Sequence, residues 1–149
     1  MPPQFTLAEM ADLDRLLELN RQLHDFFKEP FAGDFTRQAM AGLIADRSLG
    51  RLWLIQAGDQ SVGYVVLTLS YSLEYGGREA FIDELFIQSD HRQQGIGTAT
   101  LAFVDDQCQK LGIRALHLEV DRDNAPARHL YAKAGFVTNS RYLMTRRYP

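Results

Sequence analysis

The chain has little of what several protein classes depend on. It carries one cysteine, Cys108, in 149 residues, so it can build neither an internal disulfide framework nor a cysteine-based metal site. Its longest apolar stretches, such as residues 65–67, fall far short of the roughly 18 residues that a membrane helix needs. Residues 1–4 form neither a basic region nor an apolar segment, unlike a signal peptide. We therefore expect one cytoplasmic domain over residues 1–149, large enough for a hydrophobic core.

Metal-ligand spacing is also missing. The four histidines stand at positions 24, 91, 117 and 129, and none is spaced from an acid or another histidine as a metal site requires. We expect no metal cofactor.

The charges are divided unevenly between the two parts of the chain. The net charge of −3 argues against a dedicated nucleic-acid-binding protein. Residues 1–90 hold 14 acids and 7 bases, a net charge of −7, whereas residues 91–149 hold 5 acids and 9 bases, a net charge of +4. Either this reflects chance and solvated faces, or the second part holds an anionic ligand while the first attracts a cationic one.

Apolar periodicity predicts helices over residues 9–27, 36–46, 98–111 and 124–134. Asp34 or Thr36 is the expected N-cap of the second helix. In the third helix Cys108 falls on the apolar stripe, so it is expected to pack in the core rather than act as a nucleophile. Gly135 is the expected C-cap of the fourth helix.

Strand signals occupy the middle of the chain and recur after the third helix. Residues 52–55, 62–75 and 81–87 predict an antiparallel meander, with a hairpin turn at Gly76-Gly77. Residues 115–120 predict a strand parallel to the third one, because a helical crossover joins the two. A final strand is predicted over residues 141–146. The fold class is α/β, with a mixed sheet.

A glycine pair stands between the third predicted strand and the third predicted helix, in Arg92-Gln93-Gln94-Gly95-Ile96-Gly97. Glycine lets backbone N–H groups face a ligand, and the following helix start favours anions. A plain tight turn is the alternative. A dinucleotide fingerprint is excluded because Thr100 replaces the third glycine, and a Walker loop is excluded because no lysine follows.

This loop resembles the Gln/Arg-x-x-Gly-x-Gly/Ala signature of the GNAT superfamily of acetyl-CoA-dependent N-acetyltransferases. Downstream, Asn124 followed by Tyr131-Ala132-Lys133-Ala134-Gly135-Phe136 is similar to the family's Asn…Tyr-x-x-x-Gly-Phe segment. The resemblance covers roughly residues 4–146 and implies the GNAT fold. In that fold a mostly antiparallel sheet contains a splayed parallel strand pair and is flanked by about four helices. More loosely, the chain resembles the diamine and polyamine acetyltransferase branch.

The resemblance implies acetyl-CoA as co-substrate, with pantetheine between the splayed strands and the pyrophosphate on the glycine loop. The cofactor-binding residues that it implies are Leu85, Phe86, Ile87, Arg92, Gln93, Gln94, Gly95, Ile96, Gly97, Thr98, Asn124 and Tyr131.

Acetyl transfer to an amine needs a group that accepts the amine proton and a group that protonates the leaving thiolate. Tyr131 matches the family's general acid, a buried core tyrosine being the alternative. For the base, Asp83 ranks first, Glu84 close behind and Glu119 third, each being alternatively a structural acid. Because the side-chain period of a strand is two, Asp83 and Glu84 point to opposite faces unless a bulge intervenes.

The expected acceptor is the primary amine of a cationic small molecule, read by the acidic and aromatic first part of the chain. Two alternatives remain open. One is acetylation of a protein N-terminus or lysine, and the other is a non-catalytic acyl-CoA-binding domain. We expect neither nucleic acid nor membrane as a partner. A homodimer is compatible with the resemblance.

Overall fold

A computed structural model describes residues 2–149. Its elements are, in chain order, β1 (Gln4–Leu7), a 3-10 turn (Met10–Asp12), α1 (Leu13–Phe27), α2 (Gly33–Ala45), β2 (Gly50–Ala57), β3 (Gln60–Ser72), β4 (Gly77–Ile87), a second 3-10 turn (Ser89–His91), α3 (Ile96–Lys110), β5 (Ala115–Leu118) and α4 (Ala125–Lys133). The strands form one sheet in the order β1-β2-β3-β4-β5. The β4–β5 pair is parallel and the other pairs are antiparallel, which confirms the mixed α/β fold class.

Two local predictions, the N-cap of α2 and the final strand, need correction, and one strand has no counterpart in the predictions. Helix α2 begins at Gly33 and has Ala32 as its N-cap, because the Thr36 N–H already bonds to the Ala32 carbonyl oxygen at 3.0 Å. Strand β1 was not predicted, since its residues are mostly exposed and pairing with β2 alone defines it. Residues 141–146 form no strand among the described residues.

The chain divides into two compact units, Met1–Glu119 and Val120–Pro149. The second unit contains α4, followed by a segment without regular structure from residue 136 onward. Val137, Tyr142 and Met144 in this segment are each at least 85% exposed. A strand is stabilised by hydrogen bonds to a neighbouring strand, and no strand of the described residues pairs with this segment.

Helices cover both faces of the sheet in the first unit. Leu52 and Leu54 of β2 pack in one cluster with residues of α1 and α2. Trp53, which lies between them and points to the opposite face, contacts Phe103 of α3 with ring centroids 5.1 Å apart. Helices α1 and α2 therefore lie on one face and α3 on the other. Among residues 2–149, no helix combines the length and apolar character that crossing a bilayer requires.

The pairing of β3 with β4 contains a β-bulge. Leu67 pairs with Ile82 and Val66 pairs with Glu84, so Asp83 is an extra residue without a partner in the register. Residues directly opposite each other share a face, and Val66 belongs to the cluster under α1 and α2. Glu84 therefore lies on the face that α1 covers, which the period of two alone does not give.

The close approach of β3 to β4 generates a stability prediction. A Cβ atom at the buried Gly63 would overlap the backbone carbonyl oxygen of Phe86, whereas one at the exposed Gly42 of α2 has nothing within 4 Å. We expect Gly63→Ala to destabilise the protein by about 1–3 kcal/mol through overpacking. Gly42→Ala should stabilise it by about 0.5–1 kcal/mol, because glycine is unfavourable inside a helix. Urea unfolding measures both, and equal effects of the two substitutions would contradict the assignment.

Candidate active site

The two parallel strands separate where the bulge stands. Strand β5 pairs with β4 from Ala115 opposite Glu79 to Leu118 opposite Ile82. Beyond that point β4 continues to Ile87, and among the described strands it is paired with β3 alone. An extended ligand with amide groups can bond to such a free strand edge. This stretch includes Leu85, Phe86 and Ile87, the residues expected to contact pantetheine.

The three candidate bases lie in different surroundings. Asp83 at the bulge and Glu119 just after β5 are exposed. Glu84 is half-buried, and two side chains bond to its Oε1 atom. Only Glu84 is therefore held in a defined position by side-chain hydrogen bonds that the structure records.

The partners of Glu84 were not identified from the sequence. The Tyr64 hydroxyl of β3 donates to Glu84 Oε1 at 2.8 Å. The Asn20 amide of α1 donates to the same oxygen at 3.2 Å and to the Tyr64 hydroxyl at 2.9 Å. Asn20 is 1% exposed and Tyr64 is fully buried. A polar residue inside the apolar stripe of α1 was the available signal, because a buried amide needs partners.

Burial raises the pKa of Glu84 above its usual value, and the neighbouring Asp83 adds to the rise. The hydrogen bond from Tyr64, the His24 imidazole and the hydrogen bond from Asn20 act in the opposite direction. A carboxyl with a raised pKa is a stronger base than an ordinary one. The surroundings of Glu84 thus suit the acceptance of a proton from a substrate.

The glycine loop leads directly into α3. Gln93 has φ 62° and Gly95 has φ 81°, and α3 begins at Ile96. The first α-helical bond here runs from the Ala99 N–H to the Gly95 carbonyl oxygen. The N–H groups of Ile96, Gly97 and Thr98 precede that bond, as at any helix start. They are therefore available to an anion, which is what a pyrophosphate cradle requires.

Arg92 connects this loop to α1 and β4. Its Nε donates to the Ile87 carbonyl oxygen at 2.8 Å. Its guanidinium lies 4.4 Å from the centre of the Phe26 ring and 5.6 Å from that of Phe86. These contacts fix a positive charge at the start of the loop. Gln94 bonds to the carbonyl oxygen of Asp90 at 3.3 Å.

The second unit holds the other two candidate residues. The Asn124 Oδ1 atom accepts from the Ala127 N–H at 3.2 Å and so caps α4. Tyr131 packs edge-on against Phe136, with ring centroids 6.0 Å apart. Burial raises the pKa of Tyr131, and the hydroxyl is protonated at neutral pH even without that rise. The predicted C-cap needs correction: α4 ends at Lys133 and its C-cap is Ala134, and Gly135, with φ 96°, follows the cap in the left-handed conformation that glycine adopts readily.

Comparison with known proteins gives a family. Residues 15–136 match the model of the acetyltransferase (GNAT) family. The [ribosomal protein bS18]-alanine N-acetyltransferase of Escherichia coli K12 is 38% identical over 58 residues, which are 39% of this chain and 39% of that enzyme. The chain spans about half the length, or less, of the curated relatives it matches.

Solved structures extend the similarity along the whole chain. An integron cassette protein from the mobile metagenome of Cole Harbour Salt Marsh is 34% identical, with a TM-score of 0.88 over 98% of this chain and 91% of that one. A predicted acetyltransferase from Clostridium acetobutylicum, solved with acetyl-CoA, is 20% identical with a TM-score of 0.79 over 97% and 96% of the two chains. At this identity, the similarity to the Clostridium acetobutylicum protein shows a common fold.

Proposed function

The chain belongs to the acetyltransferase (GNAT) family, and from this we propose that it transfers the acetyl group of acetyl-CoA to a primary amine. The acceptor proposed first is a cationic small molecule, and transfer is direct within a ternary complex. Residues 1–149 act as one N-acetyltransferase domain in this proposal.

One observation carries the proposal. The separation of β4 from β5 after Ile82 coincides with the bulge at Asp83 and with the Glu84 carboxyl. A free strand edge for an amide-containing ligand therefore stands beside a group that can take a proton. An acyl transfer from a thioester to an amine needs these two features together.

The described residues fit acetyl-CoA. The edge of β4 at Leu85, Phe86 and Ile87 offers backbone groups to pantetheine, and the loop from Arg92 to Thr98 offers N–H groups and one cation to the pyrophosphate. Asn124 is proposed as a further contact. Bound acetyl-CoA supplies an activated acetyl group as a thioester.

Glu84 is the base that the contacts favour. An alkylamine with a pKa of about 10.4 is mostly protonated at neutral pH and cannot attack a carbonyl until it loses a proton. Glu84, directly or through a water molecule, takes this proton. Asp83 stands second because it is exposed beside Glu84 at the bulge, and Glu119 stands third because it is exposed outside β5.

Tyr131 is the proposed general acid. When the amine nitrogen forms its bond to the acetyl carbon, the bond between that carbon and sulfur breaks and the sulfur leaves as a thiolate. The Tyr131 hydroxyl, which is protonated at neutral pH as an ordinary tyrosine is, gives its proton to the sulfur. The nitrogen then releases its remaining extra proton to solvent as the amide forms, and the tyrosinate left by proton donation regains a proton from solvent.

A protein N-terminus is the second candidate acceptor. The similarity to a ribosomal-protein alanine N-acetyltransferase supports it. An α-amino group has a pKa of about 7.7–8.0, so a larger fraction is already unprotonated at neutral pH than for an alkylamine. The two acceptor classes therefore depend differently on the base.

We expect CoA to raise the melting temperature of the protein, since a ligand at 100 times its Kd stabilises by about 2.7 kcal/mol. Gly97→Asp places a carboxylate at the loop and should abolish the shift by repelling the phosphates. The control Gly97→Ala adds a Cβ atom without charge and should retain most of the shift. Thermal unfolding with and without CoA measures this. Wild-type affinity of Gly97→Asp for CoA would place the pyrophosphate elsewhere.

The acceptor is tested by thiol release from acetyl-CoA. The panel contains small diamines and polyamines, an alanine-initiated peptide with a free α-amine, and the same peptide with a blocked N-terminus. We expect release with the small cationic amines. Release with the free peptide alone would replace them by a protein N-terminus. Binding of CoA without release for any amine would make the chain an acyl-CoA-binding protein.

Tyr131→Phe separates an acid from a packing residue. We expect turnover to fall by roughly 10²–10⁴, while the KM for acetyl-CoA stays within a few-fold because the ring is kept. Steady-state kinetics under conditions where chemistry limits turnover measure both. Tyr142→Phe, at an 85% exposed position, is the matched control. Wild-type turnover in Tyr131→Phe would return Tyr131 to a structural role.

A further inference from the structure

Three side chains from three elements meet inside the first unit. Asn20 comes from α1, Tyr64 from β3 and Glu84 from β4, and every pair among them is joined by a hydrogen bond of 2.8–3.2 Å. Leu16, Leu19 and Phe86 belong to the same apolar cluster as Tyr64, and Asp83 and His24 lie near Glu84. This polar triangle therefore stands within the hydrophobic core.

Each hydrogen bond of the triangle is donated toward Glu84, either directly or through Tyr64. Tyr64 has a single hydroxyl proton, which it gives to Glu84, and it accepts from the Asn20 amide. Burial and the Glu84 carboxylate raise the pKa of Tyr64 well above its usual value, so it remains a donor. All hydrogen bonds that the described residues make to the Glu84 carboxyl end on Oε1. Oε2 is left for a further partner.

Stability alone does not explain such an arrangement. Apolar residues of similar volume often fill a core at equal or lower free energy than a buried charged network. The Asn20 Oδ1 atom is moreover buried without a hydrogen-bond partner, which is itself unfavourable. A buried network of this kind does fix the position of its members, and here the member that reaches the surface is a carboxyl.

We propose that Tyr64 and Asn20 are positioning residues that hold the Glu84 carboxyl by Oε1, so that Oε2 receives the proton of the acceptor amine. This rests on the proposed function, in which Glu84 is the base. Neither residue touches the substrate, and both act through Glu84.

The positioning has a consequence for the pH profile. The titratable groups that face Glu84 are Asp83 on its own strand, His24 on α1 and Tyr64 on β3. The bonds from Tyr64 and Asn20 stabilise the charged carboxylate and lower its pKa. Loss of either donor therefore raises the pKa of Glu84, and the base becomes deprotonated only at a higher pH.

The experiment compares kcat/KM against pH for the wild type, Tyr64→Phe and Glu84→Gln with one amine. We expect kcat/KM of the wild type to rise with pH as Glu84 loses its proton. We call this rise of kcat/KM with pH the ascending limb. In Tyr64→Phe the limb should move to higher pH by about one unit, and kcat should fall about 10- to 100-fold. The KM for acetyl-CoA should stay within about threefold. Glu84→Gln should lose the limb, leaving the titration of the amine.

Two further variants keep the test decisive. Asn20→Leu removes the 3.2 Å hydrogen bond to Glu84 and should move the limb to higher pH by less than Tyr64→Phe does. It takes the place of Tyr64→Phe if that variant does not fold. Thr100→Val is the matched control. It also removes a buried hydroxyl, whose bond at 2.7 Å is to the Ile96 carbonyl oxygen, and it should leave the limb in place.

The outcomes distinguish this role from the function on which it rests. A wild-type limb and kcat in both Tyr64→Phe and Asn20→Leu would overturn the positioning role alone. Wild-type kcat/KM in Glu84→Gln would remove Glu84 as the base, and with it this role, while leaving acetyl transfer intact. Absence of transfer to every amine by the wild-type protein would overturn the proposed function itself.

Discussion

The site depends on one extra residue in β4. Because Asp83 has no partner in the register, the faces of β4 exchange between Ile82 and Glu84. Without the bulge, Asp83 would oppose Val66 and Glu84 would point to the face covered by α3. The bulge thus selects which acid meets α1, and it marks the place where β5 stops pairing. Bulges bend a strand and re-aim its side chains. Here a single bulge both turns Glu84 toward α1 and coincides with the end of the pairing between β4 and β5.

The region after the bulge connects the proposed base to the glycine loop. Phe86 and Ile87 follow Glu84 by two and three residues, and Arg92 contacts both through its guanidinium. Phe26 of α1 covers the other side of the same guanidinium. Helix α1 therefore contributes to both parts of the site, since Asn20 bonds to Glu84 and Phe26 packs on Arg92. A displacement of α1 would disturb Glu84 and the glycine loop together.

The polar triangle of Asn20, Tyr64 and Glu84 occupies space that apolar side chains could fill, and its hydrogen bonds hold the Glu84 carboxyl in one position. Removing one partner would leave a buried donor or acceptor unpaired, at a cost of about 1–3 kcal/mol. Among residues 2–119, no side chains support the exposed acids Asp83 and Glu119 in a comparable way. What distinguishes Glu84 from the other two acids is thus a pair of side chains on other elements, and the sequence around each acid does not reveal them.

Much of the fold could be predicted from the sequence, because apolar periodicity, turn glycines and the crossover between β4 and β5 are local signals. The glycine loop and the segment from Asn124 to Phe136 likewise indicated the family, and the period of two along β4 showed that only a bulge could alter the relation of Asp83 to Glu84. The sequence did not predict the start of α2 at Gly33, because no capping side chain marks it. It did not predict β1 either, because no alternating strand pattern marks that segment. Tertiary structure alone decided that the bulge exists and that Asn20 and Tyr64 hold Glu84. These contacts join residues 20 to 64 positions apart, and a register shift depends on both strands at once.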